Sequence, residues 1–525
     1  MNVNFCRQMR LLALRYGDRP ALINVERNRR YSYAEYHSLT NRIASVLRTA
    51  LRVGRGNKFF LILENDNLSL LHFPTFFKQE GTVAFGNYRD PMEEHERQID
   101  LLKPKVVFIE NEKVEPYYEM LRRHGCTIVT MDPPTVIREE VLSFWDLVER
   151  ASDADNDVEL DSHDHVTALR FTGGTTGRGK CAMYTIDNLL GTRDGAYVHR
   201  DFELDEGTRF LHFAPLSHGS MMFFFPTLFA GGASYTQNLP DLEQWSRVVE
   251  AENITHSFLV PTLLYRLLDM QAAQTRDLSS LRTVAYGAAP MSPTKLGDLI
   301  ARFGAIFMQA YAATEAAMFV SVLDKADHRI DNEHSARRLS SAGRIAPGVE
   351  VYIADDSGRP LPAGETGEIM IRCRATIQGY YLNPEATAAE FTNGTWRSGD
   401  LGYIDDGGYL YIVDRKKDMI ISGGFNIYAV EVEAALASHP AVLMCAVVGV
   451  PHAEWGEAVH AEVVLRSGLT ATAEELIAHV KNKIGGYKAP KTASLVDSLP
   501  LTAVGKVLRR VVKEKYWKDQ ARKVG

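Results

Sequence analysis

Residues 171–181 read FTGGTTGRGKC, four glycines and three threonines set around and ahead of Lys180. Glycine frees backbone N–H groups to converge on an anion, threonine adds hydroxyl donors and lysine adds charge, so the composition suits a phosphate. Gly174, Gly179 and Lys180 keep the GxxxxGK spacing of the nucleotide-binding P-loop, but Cys181 stands where that loop carries its magnesium-binding Ser or Thr. Residues Cys181 to Thr185 read as an extended segment, not as the helix whose N-terminus completes a P-loop. The residues around the loop decide which phosphate-binding fold it belongs to.

Short β-rich runs alternate with helical patterns through the first 400 residues: KFFLILE (58–64), PKVVFIE (104–110), CTIVTM (126–131), VTALRF (166–171), HSFLVP (256–261) and RTVAYG (282–287). This alternation predicts an α/β fold, parallel sheets covered by helices on both faces. Ser32 and Glu35 form a capping box ahead of Leu39, Ile43, Val46 and Leu47, one apolar stripe at helical spacing. The pattern changes near residue 414. After the charged run DRKKD come a helix from about Ala429, strands over 443–450 and 458–465, and a helix capped by Thr472 and Glu475 with Leu476, Val480 and Ile484 on its apolar face. The expected division is a large domain, residues 1–413, and a small α+β domain, residues 414–525.

Composition narrows the partners. A net charge of −7 gives no general attraction to nucleic acid or anionic membrane, which leaves small molecules as the expected ligands. The apolar run Met221 to Phe225 is cut by Pro226, so no stable membrane insertion is expected, and MNVNFCRQMRLLALRYGD at the start lacks the pattern of a signal peptide. The protein is expected to stay in the cytoplasm, with homodimerisation left open. Cys6, Cys126, Cys181, Cys373 and Cys445 stand singly, which argues for reduced thiols over disulfides or a zinc site.

Further along stand MQAYAATEA (308–316), WRSGDLGYIDDGGYLYIVDRKKDMIISGGFNI (396–427) and PLTAVGKVLRR (500–510). With the glycine-rich loop, and in this order, they resemble the adenylate-forming superfamily of acyl-CoA synthetases, adenylation domains and beetle luciferases, over about residues 30 to 515. The resemblance implies layered α/β sheets with a small β-barrel-like subdomain, followed by a mobile α+β domain. It also implies a reaction in which a carboxylic acid attacks the α-phosphate of ATP, pyrophosphate leaves, and the acyl-adenylate is captured by a thiol such as that of CoA.

The same resemblance implies roles for single residues. Thr172, Gly173, Gly174, Thr175, Thr176 and Lys180 would clamp the phosphates that leave. Tyr311 would offer its ring to adenine, with Gly287, Ala288 and Ala289 on the other side and Gln309 and Ala310 beside them. Thr314 would lie at the α-phosphate and Glu315 would bind Mg2+, where one carboxylate with phosphate oxygens and waters makes a normal shell. Asp400 and Arg415 would hold the ribose. Lys506 would bridge carboxylate and α-phosphate, since the chemistry brings anions together and needs cations more than a base. Lys417 would be the hinge that swaps Lys506 for Gly423 and Gly424, whose missing side chains would let the thiol through. Without the motifs, Lys506 reads as a surface lysine, Glu315 as a helix N-terminal acid, Asp400 as a turn acid and Tyr311 as a core aromatic.

In APLSHGSMMFFFP (214–226), His218 matches the family position that lies against the substrate carboxylate. Relatives that activate amino acids place an aspartate in this region, and none stands here. Behind His218, Met221, Met222, Phe223, Phe224 and Phe225 are expected to divide between core and pocket, which favours an apolar acid: fatty, aromatic or alicyclic. Ala310 and Ala312 replace common family glycines, and Ala312 should narrow the pocket floor by a methyl, whereas Gly173 and Gly179 replace the usual Ser and Pro and should loosen the loop. No carrier domain follows before Gly525 and no SKL signal is present, so free CoA is the expected acceptor. Loading of a separate carrier protein, a luciferase-like oxidation, and a P-loop ATPase that would release ADP are the alternative readings.

Overall fold

Strands Lys58–Ile62 and Val106–Ile109 are apolar almost throughout because both faces of their sheet are covered. In the computed structural model, which describes residues 2–517 apart from 134–137, 139, 157, 173–178, 239–240, 272–274, 318 and 503–504, they are the centre of a seven-stranded sheet. Six of its strands are parallel, and Cys181–Thr185 closes one edge antiparallel to Val166–Phe171. A second sheet of nine strands has six parallel strands at its centre: Phe307–Tyr311, Thr283–Gly287, His256–Leu259, Arg209–His212, Ala233–Thr236 and Pro20–Asn24. The α/β expectation therefore holds. Among the described residues no helix is long and apolar enough to cross a membrane.

Local signals act where the sequence places them. Ser32 Oγ accepts from the Glu35 N–H at 3.2 Å while the Glu35 carboxylate accepts from the Ser32 N–H at 2.8 Å, and Thr472 and Glu475 repeat the pair. Helix Tyr33–Ser45 buries Leu39 and Ile43, and the π-helical turn that continues it buries Val46 and Leu47. Helix Met221–Phe229 is buried along the run, with none of residues 221–225 more than 9% exposed. The helix lies between two cores: Phe224 and Phe225 pack with Phe76, Phe77 and Phe85, and Met222 and Phe223 pack with Phe258, Phe319 and Ala310. Ala312 packs against the second group, and Tyr184 and Tyr380 belong to the first.

Two further sheets complete the chain, the first antiparallel and the second antiparallel but for its parallel edge strand Thr492–Leu495. One contains Glu350–Ala354, Gly367–Arg372, Thr395–Ile404 and Leu410–Arg415, and the other contains Ile420–Ser422, Phe425–Ile427, Val442–His452 and Gly456–Leu465, with Thr492–Leu495 beside the last. Gly343 sits at the seam between the nine-stranded sheet and the first of these. Its carbonyl accepts from Leu410 N–H at 2.8 Å, its φ is +86°, and a Cβ there would lie 2.0 Å from the Val322 carbonyl group. Gly364 also has positive φ, but open space surrounds it. We expect Gly364→Ala to cost about 1–2 kcal/mol from left-handed strain alone. Gly343→Ala adds a collision with backbone and should lower the thermal unfolding midpoint much further; equal losses would show that the seam can yield.

Candidate active site

The C-terminal ends of two neighbouring parallel strands start the site. Gly287 lies opposite Ala310, and a Cβ on Gly287 would come within 2.3 Å of the Ala310 carbonyl oxygen, so only glycine permits this approach. Ala288 follows in the left-handed region at φ +68° and is exposed, a strained turn of the kind that clusters at functional sites. Ala289, Gln309 and Ala310 adjoin it, the last two buried. Tyr311 ends its strand with the hydroxyl donating to Asp400 Oδ2 at 2.7 Å. Antiparallel register sets Asp400 opposite Arg415, whose Nε is 3.2 Å from Asp400 Oδ1. Both carboxylate oxygens of this 6%-exposed acid are thereby engaged.

Glu315 follows Thr314 in a loop and not at a helix N-terminus. Its side chain, in a residue 9% exposed, accepts from the Tyr380 hydroxyl at 2.8 Å. That hydroxyl also contacts Glu390 at 2.5 Å, and Glu390 forms an ion pair with Lys180. Lys180 Nζ lies 3.2 Å from the Tyr380 oxygen and 4.4 Å from its ring centroid. Burial pushes the Glu315 carboxyl up from its ordinary value, against the opposing effects of Tyr380 and Lys180. A buried carboxylate in this condition is matched by a cation, which fits a magnesium ligand. Sequence reasoning placed Glu315 and Lys180 here but missed Tyr380 and Glu390. Nothing in GYYLNPEATAAEF (379–391) marks them, and only the fold brings them beside Glu315.

The phosphate loop is described at its base alone; Gly173, Gly174, Thr175 and Thr176 lie outside the described residues. Thr172 N–H donates to the Lys180 carbonyl at 2.8 Å, and Lys180 N–H donates to Thr172 Oγ1 at 3.1 Å. A Cβ on Gly179 would lie 2.5 Å from the Thr172 carbonyl oxygen. Gly179 therefore allows a close-packed neck, contrary to the expectation that it loosens the loop. Cys181 is a buried thiol pushed up to about 12 by desolvation, with no place in the chemistry.

Lys506 reaches this group from the end of the chain. The preceding Gly505 has φ +83°, and its carbonyl accepts from Thr262 Oγ1 at 2.9 Å, which docks the turn on helix Pro261–Asp269. Burial pushes the Lys506 ammonium down to about 8, Arg415 acts in the same sense and Asp400 against it. His218 shares a 3.0 Å contact between Nδ1 and Ser217 Oγ, and its imidazole is pushed down to about 3 by burial and then by the charges of Arg170 and Lys506. It is a neutral ring at neutral pH. Gly423 and Gly424 lie apart from this set, in the hairpin turn after Ile420–Ser422. Their φ values of +57° and +82° give that turn a backbone reason of its own to carry two glycines. Lys417 lies in the turn that follows Leu410–Arg415.

Two layered α/β sheets, a small domain that delivers a lysine, and a set of cations and acids around a glycine-rich neck define an adenylate-forming enzyme. The family model for AMP-binding enzymes matches residues 11–381, and that for the AMP-binding enzyme C-terminal domain matches 431–506. The chain is 41% identical over 369 residues to a medium/long-chain-fatty-acid–CoA ligase, FadD8, of Mycobacterium tuberculosis, a match over 69% of this chain and 63% of that protein's length. It is 40% identical over 355 residues to a feruloyl-CoA synthase of an Amycolatopsis species, covering 67% of this chain and 70% of the relative. The crystal structure of ATP-bound MatB from Rhodopseudomonas palustris superposes with a TM-score of 0.86 at 28% identity, covering 99% of each chain. The chain belongs to the AMP-binding enzyme family.

Removing the Tyr380 hydroxyl would leave Glu315 and Glu390 facing each other without their shared donor. Hydrogen bonds to charged groups are worth about 1.5–3 kcal/mol, so Tyr380→Phe should slow acid-dependent ATP–pyrophosphate exchange roughly 10- to 100-fold. The unfolding midpoint should move by only a few degrees. Exchange at the wild-type rate would reduce the network to packing.

Proposed function

We propose that the protein is an ATP-dependent acid:CoA ligase that activates an apolar carboxylic acid through an acyl-adenylate and releases AMP and pyrophosphate. The observation that carries this reading is the cluster in which Asp400 accepts from Tyr311 at 2.7 Å and pairs with Arg415 at 3.2 Å, with Lys506 as a cation near it, in a chain that both AMP-binding family models match. One cation between the two substrates is what an attack of carboxylate on phosphate requires. The relatives' names, a fatty-acid ligase and a feruloyl-CoA synthase, support an apolar acid with CoA as acceptor.

In this reading Asp400 and Arg415 take the ribose, exchanging their mutual contact for hydroxyl groups, and Tyr311 supports adenine. Lys180, now neutralised by Glu390, turns to the departing phosphates. Glu315, with Thr314 beside it, would hold Mg2+, which when bound would offset the charge of the phosphate oxygens. His218, neutral, contributes a hydrogen bond and no charge at the carboxylate. The division at residue 414 and the hinge at Lys417 belong to the same proposal: Lys506 serves adenylation in the arrangement described, and rotation would bring Gly423 and Gly424 to the thiol.

A panel of benzoates, phenylpropenoates, C6–C18 fatty acids and ring-containing acids, assayed with ATP and CoA, should release AMP; ADP as the nucleotide product overturns the proposal. Lys506→Ala should lose most adenylation yet keep thioester formation from supplied acyl-adenylate. Equal loss of both half-reactions refutes the assignment. Because Lys506 is charged below about 8 and neutral above it, the adenylation rate should fall as pH rises through about 8. Lys506→Arg, if active, should lose that alkaline limb because its guanidinium stays protonated.

A further inference from the structure

Strand Val166–Phe171 carries a single charged residue, Arg170, and it is 7% exposed. Its side chain shares a sheet face with Ala168, toward the core that holds Phe76, Phe85, Phe224 and Phe225. Arg170 Nη2 donates to the Ser217 carbonyl at 2.6 Å, and the guanidinium carbon is 5.6 Å from the Tyr184 ring centroid. The Tyr184 hydroxyl donates in turn to the Thr314 carbonyl. Arg170 thus stands between the His218 segment and the Thr314–Glu315 segment.

Among the described residues Arg170 forms no ion pair. Its titratable neighbours do not offset it: His72, buried beside Phe224 with both ring nitrogens unpartnered, and His218 are both pushed down by burial first and by the Arg170 charge second, so neither carries a charge of its own. A guanidinium cannot escape by losing its proton, so the charge persists in a desolvated place. Of the other cations of the site, Lys180 pairs with Glu390 and Arg415 with Asp400, and Lys506 stands on the C-terminal segment and not on the sheet. An unmatched cation on the acyl side of the site calls for an anion that arrives with the substrate.

We propose that Arg170 binds the carboxylate of the acid substrate, holding it beside His218 before ATP is attacked. The inference rests on the ligase reading and deepens it. Lys506 travels with the small domain, whereas Arg170 is fixed in the seven-stranded sheet. Arg170 therefore recognises the acid whether or not the small domain is docked, and it selects acids over neutral compounds of the same shape.

The test compares binding of octanoate with octanamide and of cinnamate with cinnamamide, by calorimetry without ATP, in the wild type, Arg170→Met and Arg170→Lys. The wild type should bind at least one acid about tenfold or more tighter than its amide, the size expected of a charge-assisted hydrogen bond. Arg170→Met should abolish that preference and Arg170→Lys should restore part of it, with ATP affinity unchanged and thioester formation from supplied acyl-adenylate retained. Should Arg170→Met fail to fold, Arg170→Gln replaces it. A preserved acid–amide ratio in the folded variant overturns the proposal, as does a wild type that prefers no acid to its amide. Loss of ATP affinity with an intact ratio also overturns it, since the anion held would then be a phosphate. Release of AMP by the wild type tests the ligase reading separately and does not depend on Arg170.

Discussion

Charge removed from water has to meet opposite charge or a hydrogen bond, and this constraint organises the interior of the molecule. Two acids of the site find cations within the protein, Asp400 with Arg415 and Glu390 with Lys180, whereas Glu315 only shares the Tyr380 hydroxyl with Glu390. The cations of the site are not all satisfied. Arg170 has a carbonyl and a tyrosine for company, and Lys506 is depressed by its surroundings. Such an excess of positive charge is destabilising in the free protein and favourable when two anions must approach each other. The reaction and the fold therefore ask opposite things of the same side chains, and ligands reconcile them.

A second buried charge cluster shows what the chain does where no ligand is needed. In the seven-stranded sheet the chain leaves Lys58–Ile62 and Val106–Ile109 toward opposite edges, so the ends of these adjacent strands form a switch point, the usual ligand crevice of an open α/β sheet. Arg27, from the hairpin between Pro20–Asn24 and Arg29–Ser32 of the other sheet, fills it. It lies 3.1 Å from each of Glu64, Glu110 and Asp132 and 3.7 Å from Asp66. Burial still pushes Glu110 up to about 8 and Asp66 up to about 7. With this crevice sealed by the protein's own cation, the site forms elsewhere, where the two sheets meet the small domain.

Periodicity and capping were legible because they depend on near neighbours: the stripe Leu39, Ile43, Val46 and Leu47 and the capping boxes at Ser32 and Thr472 involve residues at most eight apart. The motif residues were legible through family resemblance, since Glu315, Asp400 and Lys506 are far apart in sequence and no spacing rule joins them. Tyr380 and Glu390 escaped because tyrosine and glutamate in a polar run have no pattern, and their role exists only once Gly379 to Phe391 is folded against Glu315. Arg170 escaped for the opposite reason. VTALRF reads as an ordinary strand, and the arginine's significance lies in the carboxylate it lacks. The glycine at 179 became intelligible only as the distance from its missing Cβ to the Thr172 carbonyl.

Asp414 and Arg415 are consecutive, yet their side chains belong to different partners. Asp414 accepts from the Ala429 N–H at 2.6 Å and pairs with Arg509 at 3.2 Å, both in the following segment, while Arg415 pairs with Asp400 in the preceding one. If the small domain turns at Lys417 as proposed, Ala429 and Arg509 move with it, away from Asp414, while Arg415 stays on Asp400. In the proposed reading, binding of ribose at Asp400 would loosen the Asp400–Arg415 pair, but Lys416 still holds Asp356 and the Gly399 carbonyl and Arg509 still holds Asp414 and Asp418, so the turn keeps polar ties on both sides.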